Sequence, residues 1–163
     1  MTSPPPTTFP MPPVTSPHQA RVAARGWTML DGRRATLSDY TGQVVVLDFY
    51  ATWCLPCREQ VPHLVEMQQR YAARGLNIIG LNVGGPEDRY AVPRFVEEFG
   101  IQYDLGSPDN EMTELFMSDN NSIPQTYVFN RSGTLAKRFI GYDPAMPAEL
   151  DRIVQTALAA KAE

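Results

Sequence analysis

Val44-Val45-Val46-Leu47-Asp48-Phe49-Tyr50 runs through Ala51-Thr52 into Trp53-Cys54-Leu55-Pro56-Cys57-Arg58. The first seven residues are apolar but for Asp48, the pattern of a strand covered on both faces, and Ile78-Ile79-Gly80-Leu81-Asn82-Val83 reads the same way. Between the two, Val61, Leu64, Val65, Gln68 and Tyr71 recur at helical spacing until Gly75, which is placed to cap the helix. Strand, helix and strand make a βαβ unit, predicted to be parallel with a right-handed crossover.

Downstream, Val92, Phe95, Val96 and Phe99 form a second apolar stripe ending at Gly100, with Pro93 tolerated only in its first turn. Glu111 to Met117 suggests a shorter helix. Gln125 to Phe129 reads as a strand, Asn130 to Gly133 as its turn and Thr134 to Ile140 as an antiparallel partner. Asp143 is expected to cap a last helix with Pro144 at its first position, burying Met146, Leu150, Ile153, Ala157 and Leu158. Upstream, Trp27 to Leu37 flank the turn pair Asp31-Gly32 and suggest a hairpin ahead of the main sheet. Residues 1–20 hold seven prolines and no Asp, Glu, Lys or Arg, a composition that cannot build a core. They are expected to be a tail or linker, with one domain over 21–163.

At 163 residues the chain has room for one full core. A net charge of -4 and the lack of a dense Lys/Arg run give no footprint for a phosphate backbone, so nucleic acid is not an expected partner. No stretch has the apolar length to span a bilayer, and the first twenty residues have neither a basic start nor an apolar signal core. The chain is therefore expected to carry no transmembrane segment.

Its two cysteines lie within four residues, which leaves a redox pair or half of a metal site. Structural zinc needs four ligands; His18 falls in the expected tail, and His63, six residues beyond Cys57, faces elsewhere on the helix. No metal or other cofactor is expected. Cys54 directly follows a buried strand and Cys57 falls in the first turn of the next helix. Free backbone donors and the helix dipole stabilise a thiolate there, which makes Cys54 the candidate nucleophile. Pro56 sits where an amide would be unpaired anyway, and the two-residue spacer keeps Cys57 within reach of a mixed disulfide on Cys54. Trp53 is a candidate docking surface, whereas Arg58 is read as solvated and Tyr50 as core. Pro124 opens a strand, where it sacrifices a ladder bond; a cis bond in a tight turn would explain it. Asp48 is the one acid in the most apolar strand, on the face expected to meet the active-site helix, and a buried acid of raised pKa can move protons.

These stretches, with Val61-Pro62 and Ile123-Pro124-Gln125-Thr126-Tyr127-Val128-Phe129-Asn130-Arg131-Ser132-Gly133, resemble the thioredoxin superfamily and, more narrowly, the TlpA/ResA-type thiol-disulfide oxidoreductases. The resemblance runs over roughly residues 25 to 160. It implies an α/β thioredoxin-like fold: a central mixed sheet flanked by helices, an N-terminal β-hairpin, and a TlpA/ResA-type insertion before Pro124. It makes Cys54 the attacking and Cys57 the resolving thiol, Pro124 the cis-proline facing them, and Asp48 the buried acid. Trp53, Leu55, Pro56, Ile123 and Pro124 become the substrate-facing residues. The partners implied are protein disulfides or dithiols and an upstream redox protein, met by a monomer; the resemblance favours an extracytoplasmic setting, with the cytoplasm as the alternative because the sequence shows no signal. The chain departs from the branch at Gln60, where Glu is frequent, and at Asp48, where Asn is frequent. That mixture favours general dithiol-disulfide exchange over a role in cytochrome c maturation. The competing readings are a non-catalytic binding module or chaperone built around Trp53, Leu55 and Pro124, and a thiol peroxidase.

Overall fold

In the computed structural model, residues 17–160 are described, so most of the expected proline-rich tail lies outside the described residues. Helix α1 (Pro17–Ala23) crosses the boundary expected at residue 20. The hairpin follows as β1 (Gly26–Met29) and β2 (Arg34–Thr36). Next come β3 (Val44–Tyr50), α2 (Leu55–Tyr71) and β4 (Leu76–Asn82), with Gly75 at φ 102° in the left-handed region that turns the chain out of the helix. The rest is α3 (Val92–Phe99), β5 (Asp104–Pro108), α4 (Asn110–Met117), β6 (Gln125–Phe129), β7 (Leu135–Ile140) and α5 (Met146–Ala159).

The seven strands among the described residues form one mixed sheet in the order β2-β1-β5-β4-β3-β6-β7. β3 lies at the centre of its chemistry, parallel to β4 and antiparallel to β6, with Asp48 opposite Gly80 on one side and Thr126 on the other. Strand alternation splits β3 between two cores. Val44, Val46 and Tyr50 join Val61 and Leu64 of α2, Phe95 of α3 and Leu150 of α5. Val45, Leu47 and Phe49 join Trp27, Met112, Phe116 and Phe129 on the opposite face. Each such side chain contributes about 1.5–3 kcal/mol by leaving water, so both faces of the sheet are firmly held.

One expectation is corrected and one strand is added. The last helix begins at Met146 with Pro147 in its first turn; Pro144 lies in the preceding turn. The Asp143 carboxylate still accepts the amides of Ala145 and Met146 at 2.8 and 3.1 Å, so it closes that turn rather than capping the helix. The second difference is β5, which the sequence did not single out as a strand. It fills the gap between β4, to which it is parallel, and the antiparallel β1.

Candidate active site

The chain leaves β3 at Tyr50, turns through Ala51-Thr52-Trp53 and starts α2 with Cys54 as its N-cap, in extended conformation. An extended N-cap aims its side chain back over the helix's free amides. Cys54 Sγ accepts the Cys57 N–H at 3.3 Å. The two cysteines are joined as a disulfide with Cα atoms 5.2 Å apart. Cys57 is 0% exposed and Cys54 6%, so the edge of the pair that an incoming sulfur can reach belongs to Cys54.

Around that edge lie exposed apolar groups. Trp53 and Leu55 are 66% and 67% exposed, high for side chains of their size, and Pro56 is exposed beside them. The Ile123–Pro124 peptide is cis, Pro124 is buried and Ile123 half-buried. The Ile123 carbonyl oxygen stands 3.8 Å from Cys54 Sγ, within reach of the thiol once the pair is reduced. Its loop is anchored by Gln125, whose Nε2 donates to the carbonyls of Asn120 and Ser122 while its Oε1 accepts from Tyr127 and Arg138.

Asp48 is 1% exposed, and strand alternation puts it with Val46 and Tyr50 on the sheet face that packs against α2. Burial pushes its carboxyl up to about 7. Its Oδ1 has no hydrogen-bond partner among the described residues, and neither has Oε1 of Gln60, itself 1% exposed. Gln60 Nε2 donates at 2.8 Å to Oγ1 of Thr126, the residue opposite Asp48. The helix thus brings a second open acceptor to the strand pair that carries the acid.

Sequence reasoning missed how the turn is held. Arg58, read as solvated, is half-buried: its guanidinium lies 5.6 and 5.0 Å from the ring centres of Phe95 and Phe99, bonds Glu98, and donates to the Thr52 carbonyl at 3.1 Å. Two aromatic faces on α3 capture the cation. From the loop after β4, the Asp88 carboxylate accepts the Thr52 N–H and the Asn82 amide, each at 2.8 Å, and also bonds the Thr52 hydroxyl. Burial raises its pKa, but the Thr52 and Asn82 donors outweigh burial and leave it below the ordinary value. Asp88 lies 36 residues from Thr52, in a stretch that reads as a charged loop, so no local pattern marks it. His63 is half-buried against Tyr142, its Nε2 3.3 Å from the phenol oxygen. No cluster of three His, Cys, Asp or Glu able to hold a metal ion occurs among the described residues.

A family model described as the AhpC/TSA family matches residues 20–138. The chain belongs to the AhpC/TSA family. Within it, this AhpC/TSA chain is of the ResA/TlpA-like, thioredoxin-fold kind. It is 31% identical over 111 residues to thiol-disulfide oxidoreductase ResA of Bacillus subtilis (strain 168), covering 68% of this chain and 60% of that protein. It is 32% identical over 114 residues to the ResA of Geobacillus kaustophilus (strain HTA426), covering 70% and 64%. It therefore spans less than two thirds of the length of these relatives. A solved thiol:disulfide interchange protein of the thioredoxin family, from Chlorobium tepidum TLS, superposes with a TM-score of 0.70 at 28% identity, over 82% of this chain and 92% of that one. In this AhpC/TSA chain, Cys54 and Cys57 are the redox motif of that fold.

Proposed function

We propose that the chain exchanges disulfides with protein substrates through Cys54. In the reductive direction the Cys54 thiolate attacks a substrate disulfide. The substrate S–S bond breaks, one substrate sulfur leaves as a thiolate and takes a proton, and the other stays bound to Cys54. The Cys57 thiolate then attacks Cys54 Sγ, breaks the mixed disulfide and releases the second substrate thiol. Two electrons pass to the substrate, and the closed Cys54–Cys57 disulfide is reopened by an upstream dithiol protein. The reverse sequence oxidises a substrate dithiol; the reduction potential relative to the compartment sets the direction.

The observation that carries this reading is the placement of Cys54 as the N-cap of a 17-residue helix, its sulfur accepting the Cys57 amide at 3.3 Å. That site favours the thiolate form of the one cysteine with an exposed edge. Asp48 takes the second role. A buried carboxyl poised near 7 can receive the Cys57 proton through water as the mixed disulfide is resolved. Trp53, Leu55 and Pro56 supply an apolar rim for an unfolded or extended polypeptide, and Ile123 and Pro124 the opposite wall.

Reduction of insulin disulfides with excess dithiol tests the reading. Cys54→Ser should abolish turnover, and Cys57→Ser should accumulate a stable mixed disulfide with the substrate. Trapping by Cys54→Ser instead would reverse the roles, and full activity in both variants would leave a binding module. We extend the proposal to a monomer working outside the cytoplasm, as the family resemblance implies. Fractionation of cells expressing the natural gene, with sizing of the protein recovered, checks both points.

A further inference from the structure

We propose that Asp88 is a positioning residue: it sets the reactivity of Cys54 by gripping the turn that delivers that cysteine to the helix. The inference rests on the exchange reaction proposed above.

Three observations converge on Thr52 and Trp53. First, every polar group of Thr52 is engaged. Its N–H and hydroxyl go to Asp88, its carbonyl accepts Arg58 Nη1 at 3.1 Å, and the residue is only 8% exposed. Second, the Trp53 indole Nε1 donates at 3.3 Å to the carbonyl of Gly84, whose own N–H donates at 3.0 Å to Asn82 Oδ1. Third, Gly84 leaves no room for a side chain, since a Cβ would stand 2.5 Å from Asp88 Oδ2 and 2.9 Å from the Ala51 Cβ. The loop from Asn82 to Asp88 thus packs on Ala51, bonds Thr52 and bonds Trp53, the three residues ahead of the nucleophile. Cys54 Sγ receives the Cys57 amide only while its own backbone stays extended over the helix start. A released turn lets the sulfur drift from those donors, and its pKa then moves toward that of a free thiol, about 8.5.

The sign of the effect separates positioning from simple charge. A carboxylate near a thiol disfavours the thiolate, so removing Asp88 as a mere charge would lower the Cys54 pKa. Removing it as a clamp raises it. Asp88 and Arg58 are the charged side chains bonded to the turn, and Thr52→Val weakens the clamp while leaving both charges in place.

The measurement is the pH dependence of iodoacetamide alkylation of the reduced protein, mapped to the Cys54 peptide. It is made for wild type, Asp88→Asn, Thr52→Val and Thr52→Ser, with circular dichroism confirming the fold of each. Asp88→Asn should raise the Cys54 pKa by about one unit. Thiolate falls tenfold below the pKa while nucleophilicity recovers about threefold, so alkylation at pH 6 slows about threefold. Thr52→Val should move the same way by less, and Thr52→Ser should match wild type. A lowered pKa in Asp88→Asn would overturn the proposal in favour of charge alone. Unchanged pKa values with lower melting temperatures would overturn it in favour of a structural role. Failure of wild type to reduce insulin would strike the exchange reading instead, while the pKa comparison still reads the clamp.

Discussion

Two buried polar groups sit side by side in β6 and end differently. Gln125 has all its bonding capacity filled, two carbonyls on its nitrogen and two donors on its oxygen, and it ties down the loop that carries Ile123. Its neighbour Thr126 points to the other face, where Asp48 and Gln60 each keep an oxygen without a partner among the described residues. Buried polar atoms in folded proteins are almost always paired, with protein or with water, so two acceptors without a protein partner among the described residues make a place where water can bind. The closed cluster builds the wall of the site; in the mechanism proposed above, the open one receives the proton.

Breaking the closed cluster should have the larger effect on stability. Gln125→Leu leaves two carbonyls and parts of Tyr127 and Arg138 unpaired, and urea unfolding should show a loss of about 3 kcal/mol. A loss under about 1 kcal/mol would mean that the loop does not depend on Gln125.

The open cluster should respond in the opposite direction. A carboxyl raised from 3.8 to about 7 holds its proton in the native state at pH values where the unfolded chain has released it. Its stabilising contribution is complete below pH 4, falls as pH rises and is gone above pH 7. Roughly three units correspond to about 4 kcal/mol at most, and the unmet donors of an amide in the same place take back about half of that. Asp48→Asn should therefore be about 2 kcal/mol more stable than wild type at pH 8.5 and about 2 kcal/mol less stable at pH 4, the two curves crossing near about pH 5. Equal stability of the two proteins across that range would show that Asp48 is not held in its neutral form.

The contrast between the clusters also marks what the sequence could disclose. The run Val44 to Tyr50 and the spacing of Cys54 and Cys57 are local signals, and so are the hairpin turns; each follows from side-chain period or backbone requirement within about ten residues. β5 has no such signal. Asp104-Leu105-Gly106-Ser107-Pro108 holds a single large apolar side chain, and it is a strand because β4 and β1 pair with it. The site divides in the same way. Asp48 stood out as an acid in an apolar run, whereas the bond from Gln60 to Thr126 spans 66 residues and that from Thr52 to Asp88 spans 36. Arg58 reads as an ordinary helix-surface cation until α3 presents Phe95 and Phe99 beneath it.

A smaller perturbation sharpens the role of the open acceptors. Gln60→Glu places a second acid beside Thr126, so the two carboxyls titrate as a pair and the upper apparent pKa should rise by about half a unit. The acidic limb of insulin reduction should shift by that amount, with the maximal rate little changed. A shift to lower pH would mean that Glu at 60 ionises first and displaces Asp48 from its role.

The most direct test follows a single resolution step. A mixed disulfide between Cys54 and a peptide thiol is formed at pH 4, jumped to higher pH, and the released thiol is timed in wild type and Asp48→Asn. Wild type should accelerate through pH 7 as Asp48 ionises, and Asp48→Asn should lack that limb and be about a hundredfold slower at pH 7. Superimposable profiles in the two proteins would contradict the account and leave Asp48 as a buried acid with no part in the exchange.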